Sequence, residues 1–243
     1  MTTPPHPIFC IPGWGLGRGP LKPLAESIGA HFLDLPGYAG TPENTHFESC
    51  LQRYAQALPP NSILCGWSLG TLVALGLAQL TPERVSGLIL IAGTPSFIQR
   101  PDWSAGQPPS ELAQFTQAIA TNPASALPHF VRSFNRGDLH SRQVTQALLA
   151  NADNLPPTST LLTGLAWLES IDLRAPLSEN KIQMPSLLIH GEQDPLIPAT
   201  ASRWLASQVP ASRLMILEDC AHAPHTSQPE TVTRCIQNFL ADM

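Results

Sequence analysis

The sequence predicts an α/β fold, with a mostly parallel sheet flanked by helices and a block of helices inserted before an acid-bearing strand. Three observations predict it. Apolar strand-like runs alternate with helical patterns through residue 95, which is how parallel strands joined by crossover helices read. Residues 96–183 carry helical spacing without a convincing strand. The alternation then resumes at Met184-Pro185. The expected organisation is one core made of residues 1–95 and 184–243, with 96–183 as a helical lid.

In chain order, Ile8 to Ile11 is a short buried strand that stops at Pro12-Gly13-Trp14-Gly15. A Gly-rich loop after a buried strand can turn backbone N–H groups toward a ligand. Leu21 to Ile28 has one apolar face and reads as a helix. His31 to Leu35 is a second strand, and Pro36-Gly37-Tyr38-Ala39-Gly40 is its turn. A helix over Phe47 to Leu58 leads to the strand Ile63 to Gly66 and a helix over Leu69 to Gln79. Thr81 is placed to cap a helical turn with Pro82 at its first position. Val85 to Ala92 is an apolar run that suits a buried parallel strand.

Within the insertion, helices are expected over Ser110 to Ala120, with Ser110 as the cap, and over Ala124 to Phe134, Ser141 to Ala150 and Pro156 to Glu169. Ser186 to His190 is then a strand and Gly191-Glu192-Gln193-Asp194 its loop. A helix over Pro198 to Gln208, a last strand over Arg213 to Leu217, a loop from Glu218 to Pro229 and a helix over Glu230 to Leu240 complete the chain.

Composition narrows the function classes. The 243 residues are 43% apolar, enough for one large core. Charged residues make up only 13%, and the 26 prolines punctuate turns rather than forming a tract, which argues against disorder. A net charge of −5 argues against a general nucleic-acid binder. The five cysteines are odd in number and lack Cys-x-x-Cys spacing, so they read as buried small hydrophobes in a reducing compartment. Met1 to Pro7 has no basic residue, and the apolar run after it is too short for a signal peptide or a membrane span. The expectation is a cytoplasmic enzyme with no membrane contact, no metal and no cofactor. His6, His31, His46, His129, His140 and His190 form no metal-ligand pair and read as structural or solvated. Gly13-Trp14-Gly15-Leu16-Gly17 lacks the downstream acid of a dinucleotide site.

The chemistry centres on Gly66-Trp67-Ser68-Leu69-Gly70, a Gly-x-Ser-x-Gly nucleophile elbow between a strand and a helix. A serine hydroxyl needs a base, an orienting acid and donors for the oxyanion that forms. His222, in Cys220-Ala221-His222-Ala223-Pro224 just after the last strand, is the candidate base, with His225 as a rival. Asp194 is the candidate acid, with Glu192 as a rival. The order Ser, Asp, His is that of α/β-hydrolases. The backbone N–H groups of Leu69 and Trp14 are the candidate oxyanion donors. The Trp14 side chain either borders substrate or packs as a plain aromatic. With His222 working as the neutral base, kcat/KM should rise with pH where free imidazole loses its proton, at about 6.5.

These residues resemble the pimeloyl-[acyl-carrier protein] methyl ester esterases, the α/β-hydrolases of biotin synthesis. The resemblance is carried by Gly13-Trp14-Gly15-Leu16, Asp34-Leu35-Pro36-Gly37-Tyr38, the elbow, Pro82-Glu83-Arg84-Val85, Ile171-Asp172-Leu173-Arg174 and Ala221-His222-Ala223-Pro224. It implies an α/β-hydrolase fold and hydrolysis of a methyl ester on a carrier-bound acyl chain, through an acyl-enzyme on Ser68. Pro12 stands where the family usually has His, Thr71 where it has a second Gly, and the segment from Arg18 to Phe32 is a little short.

The resemblance also implies an acidic acyl-carrier protein as partner, met through lid arginines; the enzyme itself is expected to be a monomer. Residues 96–183 hold six Lys/Arg against seven Asp/Glu, so the insertion as a whole is not basic. His129 to Arg142 holds three Arg and one Asp, which makes Arg132, Arg136 and Arg142 the candidates; the alternative is a solvated helix face. Phe130, with Phe97, Phe115, Phe134 and Trp167, either lines an acyl channel or packs on the core. Rival readings are a hydrolase of small free esters, thioesters or carbon–carbon bonds, a menaquinone-synthesis lyase of the same fold, and a silent binding module.

Overall fold

The computed structural model describes residues 6–178 and 182–243. Six strands form one parallel sheet: β1 Ile8–Ile11, β2 His31–Phe32, β3 Ser62–Trp67, β4 Val85–Ile91, β5 Ser186–Gly191 and β6 Ser212–Leu217. Their spatial order is β2-β1-β3-β4-β5-β6. β3 and β5 are buried along their whole length. That accounts for the continuous apolar runs, since both faces of a parallel sheet are covered by helices.

Core helices α1 Lys22–Ser27, α2 Phe47–Ala57 and α3 Leu69–Leu80 connect the first strands. Between β4 and β5 lie α4 Pro109–Thr121, α5 Pro123–Phe134, α6 Ser141–Asn151, α7 Thr158–Ser170 and α8 Arg174–Ser178. After β5 come α9 Ala199–Gln208, the single turn α10 Pro224–Ser227, and α11 Pro229–Ala241. Lys181, counted among the insertion's cations, lies outside the described residues.

Three local expectations are corrected. β2 ends at Phe32, not Leu35, because Asp34 turns away to pair with the Arg18 guanidinium while its carbonyl accepts the Tyr54 hydroxyl. Thr81 caps no helix start. Its N–H closes α3 on Leu77 O, and a single turn joins it to Arg84 (3.0 Å) before β4 begins. α4 starts at Pro109, so Ser110 lies inside its first turn; proline at the first position fixes a helical φ without losing a needed N–H.

The run Ile171-Asp172-Leu173-Arg174 closes the base of the insertion. Leu173 N–H donates to Pro95 O (2.9 Å), and Ser96 bridges Asp172. Asp172 pairs with Arg174 (2.8 Å) and Arg100 (3.2 Å).

Candidate active site

Ser68 occupies the turn between β3 and α3 with φ 54° and ψ −117°, a region costly for a residue with a Cβ. The flanking glycines are obligatory for packing. A Cβ on Gly66 would sit 2.5 Å from Gly70 O, and one on Gly70 would sit 2.2 Å from Ile11 O. Strand, helix and β1 therefore meet at backbone distance, and the serine is left on top of the turn. Thr71, where a glycine was expected, fits because Gly93 faces it; a Cβ there would lie 2.2 Å from Thr71 Cγ2.

The chain brings three distant residues together above β3, β5 and β6. His222 Nε2 lies 2.9 Å from Ser68 Oγ, and His222 Nδ1 lies 2.7 Å from Asp194 Oδ2. A carboxylate only accepts, so Nδ1 carries the proton and Nε2 is free to accept from the serine hydroxyl. Asp194 Oδ1 accepts from the N–H groups of Leu196 (2.8 Å) and Ile197 (2.9 Å). Burial alone would push the Asp194 carboxyl up, but the His222 charge, the His222 hydrogen bond and the His190 imidazole 3.3 Å away hold it well below the usual carboxylate range.

Neither rival is in place. Glu192 is exposed. His225 is buried edge-on against the Trp67 ring at 4.7 Å, and its nitrogens have no hydrogen-bond partner among the described residues.

His222 is held from several sides. Trp67 Nε1–H donates to its carbonyl (3.0 Å), and the Phe134 ring lies 5.1 Å from its imidazole. Asp138 Oδ2 accepts the Ala221 N–H (3.0 Å), and Leu139 N–H donates to Asp219 O (2.9 Å). The loop between α5 and α6 thus grips the loop that carries His222. Asp138, Trp67 and His190 are the neighbours that sequence reasoning did not assign to the site. Only Trp67 had left a signal, as part of the elbow.

Leu69 opens α3, where the first N–H groups lack intrahelical acceptors. The Gly13-Trp14 stretch runs beside the serine, since a Cβ on Gly13 would lie 3.3 Å from Ser68 Cβ. Tyr38 Oη accepts the Gly15 N–H (3.0 Å) and steadies this loop. The Trp14 side chain points into the helical insertion. Its Nε1–H donates to Leu161 O (2.8 Å), and its ring meets Phe115 and Phe130 edge-on at 5.4 and 5.5 Å.

An open cavity of about 940 Å³ lies between α4 and α5, with Phe97, Leu112, Phe115, Phe130, Phe134 and Leu196 on its walls. A second depression of about 700 Å³ gathers Arg132, Arg136 and Arg142 with His129. The two share His129, Ser133 and Arg136. All three arginines are exposed, and none forms an ion pair among the described residues. Trp167 stands apart from the cavity, edge-on to Phe47 at 5.2 Å, with its Nε1–H on Thr45 O (2.9 Å). Among the described residues no group of three or more His, Cys, Asp or Glu could hold a metal ion, and no helix is long and apolar enough to cross a membrane.

Comparison with known proteins agrees with the fold. Residues 8–234 match the alpha/beta hydrolase family. A pimeloyl-[acyl-carrier protein] methyl ester esterase of Aromatoleum aromaticum is 38% identical, over 96% of this chain and 97% of its own. One of Nitrosomonas europaea is 36% identical, over 94% and 93%. Among solved structures, an esterase from Exiguobacterium antarcticum superposes with a TM-score of 0.84 at 20% identity, covering 97% of this chain and 92% of its own. The chain belongs to the alpha/beta hydrolase family and is a carboxylic ester hydrolase.

Proposed function

We propose that this enzyme hydrolyses the methyl ester of pimeloyl-acyl-carrier protein in biotin synthesis, releasing methanol and pimeloyl-carrier protein. The observation that carries the reading is the near full-length similarity to esterases named for that substrate. The geometry supports it. Ser68, His222 and Asp194 are hydrogen-bonded in series, Phe134 against the His222 ring is also on the wall of the cavity between α4 and α5, and that cavity shares a wall with an arginine-lined depression.

In the proposed mechanism His222 Nε2 takes the Ser68 proton as Oγ attacks the ester carbonyl. The N–H groups of Leu69 and Trp14 receive the oxyanion. Collapse of the tetrahedral intermediate breaks the bond to methoxide, and His222 returns the proton to give methanol. A water, deprotonated by His222, then attacks the acyl-enzyme and frees Ser68. Asp194 holds the imidazole tautomer and stabilises the imidazolium. Residues 96–183 act as the lid, with Phe130 along the acyl chain and Arg132, Arg136 and Arg142 toward the acidic carrier.

The test compares the wild type with Ser68→Ala on pimeloyl-carrier protein methyl ester and on a short-chain p-nitrophenyl ester. The wild type should cleave both and greatly prefer the carrier-bound ester. Ser68→Ala should lose kcat by about 10⁴-fold or more on each. Wild-type cleavage of the small ester alone would leave the esterase and remove the biotin assignment.

A further inference from the structure

His190 is the penultimate residue of β5, fully buried and four positions before Asp194. Its Nε2 lies 2.7 Å from Ile197 O and 3.3 Å from Asp194 Oδ2. Both neighbours can only accept, so the proton belongs on Nε2. On the other side of the ring, Nδ1 lies 2.6 Å from Ser202 Oγ, on α9, and this contact fixes the ring's rotation. The bond to Ile197 pins the turn whose own N–H groups, at Leu196 and Ile197, hold Asp194 Oδ1. The same imidazole thus braces the turn under one carboxylate oxygen and sets an N–H beside the other. That second oxygen is the one on which His222 Nδ1 rests.

We propose that His190 is a positioning residue of the hydrolytic site, fixing the orientation of the Asp194 carboxylate and sharing its negative charge with His222. The inference rests on the reading of Ser68, His222 and Asp194 as the triad. Its consequence follows from electrostatics. An N–H beside Oδ2 offsets part of the charge that would stabilise the His222 imidazolium. With that N–H gone, more of the Asp194 charge acts on the imidazolium, and the pH profile of turnover reads the difference.

The other groups near this oxygen are few. His225 on α10 is pushed down to about 3 by burial and the His222 charge. Burial pushes the Cys220 thiol up to about 12. Neither changes charge between about pH 5 and pH 8. Asp138, from the α5–α6 loop, spends Oδ2 on the Ala221 N–H and Oδ1 on the His140 N–H. Glu192 on the same loop as Asp194 is exposed.

The experiment measures kcat, KM and the pH profile of kcat/KM on a short-chain p-nitrophenyl ester for the wild type, His190→Phe, His190→Gln and Ser68→Ala. His190→Phe should lower kcat about tenfold with KM within about twofold, and move the midpoint of the profile up by about half a unit. His190→Gln, whose amide N–H reaches the Nε2 position, should recover most of kcat and return the midpoint toward wild type. A purely structural role would lower kcat without moving the midpoint. A folded His190→Phe with the wild-type midpoint therefore overturns the proposal. Should His190→Phe not fold, Ser202→Ala deletes only the hydroxyl that fixes the ring. A smaller upward shift is then expected, and an unmoved midpoint overturns the proposal equally. Persistent turnover in Ser68→Ala would instead remove the triad itself.

Discussion

His225 sits three residues from the candidate base, yet its environment suits no proton transfer. Its ring is buried against Trp67, both nitrogens lack partners among the described residues, and burial with the His222 charge pushes it down from 6.5 to about 3. The unfolded chain therefore binds a proton between those values that the folded chain does not. Stability is complete above about pH 6.5 and falls as the pH drops through that window. Between pH 7 and pH 5 the loss is about 2 kcal/mol, by the linkage of one such group. His225→Phe removes the titrating group and also two unsatisfied buried atoms, whose desolvation costs about 1–3 kcal/mol. Urea unfolding should find this variant more stable than wild type at pH 7, with the gap widening at pH 5. Parallel pH dependences in the two proteins would show that His225 is not the source.

The helix α7 touches no reacting atom, but the Trp14 indole packs on it and donates to Leu161 O. A Cβ on Gly164 would lie 2.5 Å from Trp14 Cδ1, so the indole lies directly on the glycine. Gly164→Ala gains about 1 kcal/mol of helix propensity and loses about 1–3 kcal/mol to the overlap. The indole must shift, and the Gly13-Trp14 stretch beside Ser68 shifts with it. We expect kcat/KM on a small ester to fall about tenfold, with a melting temperature at or below wild type. Wild-type turnover in this variant would uncouple α7 from the loop. Contacts of this kind explain which parts of the molecule the sequence disclosed. The parallel strands were legible because burial on both faces writes itself as an unbroken apolar run. The elbow was legible because Gly66 and Gly70 are demanded locally by backbone contact. Asp194 and His222 were legible because the site of an open α/β sheet collects at strand ends. β2 was overread, since the direction in which Asp34 turns depends on Arg18 and Tyr54. In sequence His190 reads as structural or solvated, because the carboxylate beside it lies across a turn whose course no periodicity encodes. Gly164 left no signal, as a glycine on a helix does not announce which indole lies on it.

At the scale of the whole molecule the charges are unevenly placed. The net charge is −5, yet Arg132, Arg136 and Arg142 gather in one depression without an ion pair among the described residues. Arg132 and Arg136 are four apart on and just beyond α5, whereas Arg142 comes from α6; the turn between the helices brings them together. Leu139, 69% exposed, lies in that turn. The proposed carrier is acidic, so total charge repels it while the depression attracts it. Screening acts over about 10 Å at 0.1 M salt, which leaves the local patch in control at contact. Replacing all three arginines with alanine takes the net charge from −5 to −8, three charges lower. On the carrier-bound ester this variant should lose about tenfold or more in kcat/KM, mostly through KM. On a short p-nitrophenyl ester it should stay within about twofold of wild type. Added salt should weaken the wild type on the carrier-bound ester and leave the variant flat or slightly improved. Equal losses on both substrates would mean that the arginines support the site rather than the carrier. An unchanged rate on the carrier-bound ester would move the docking face elsewhere on the molecule.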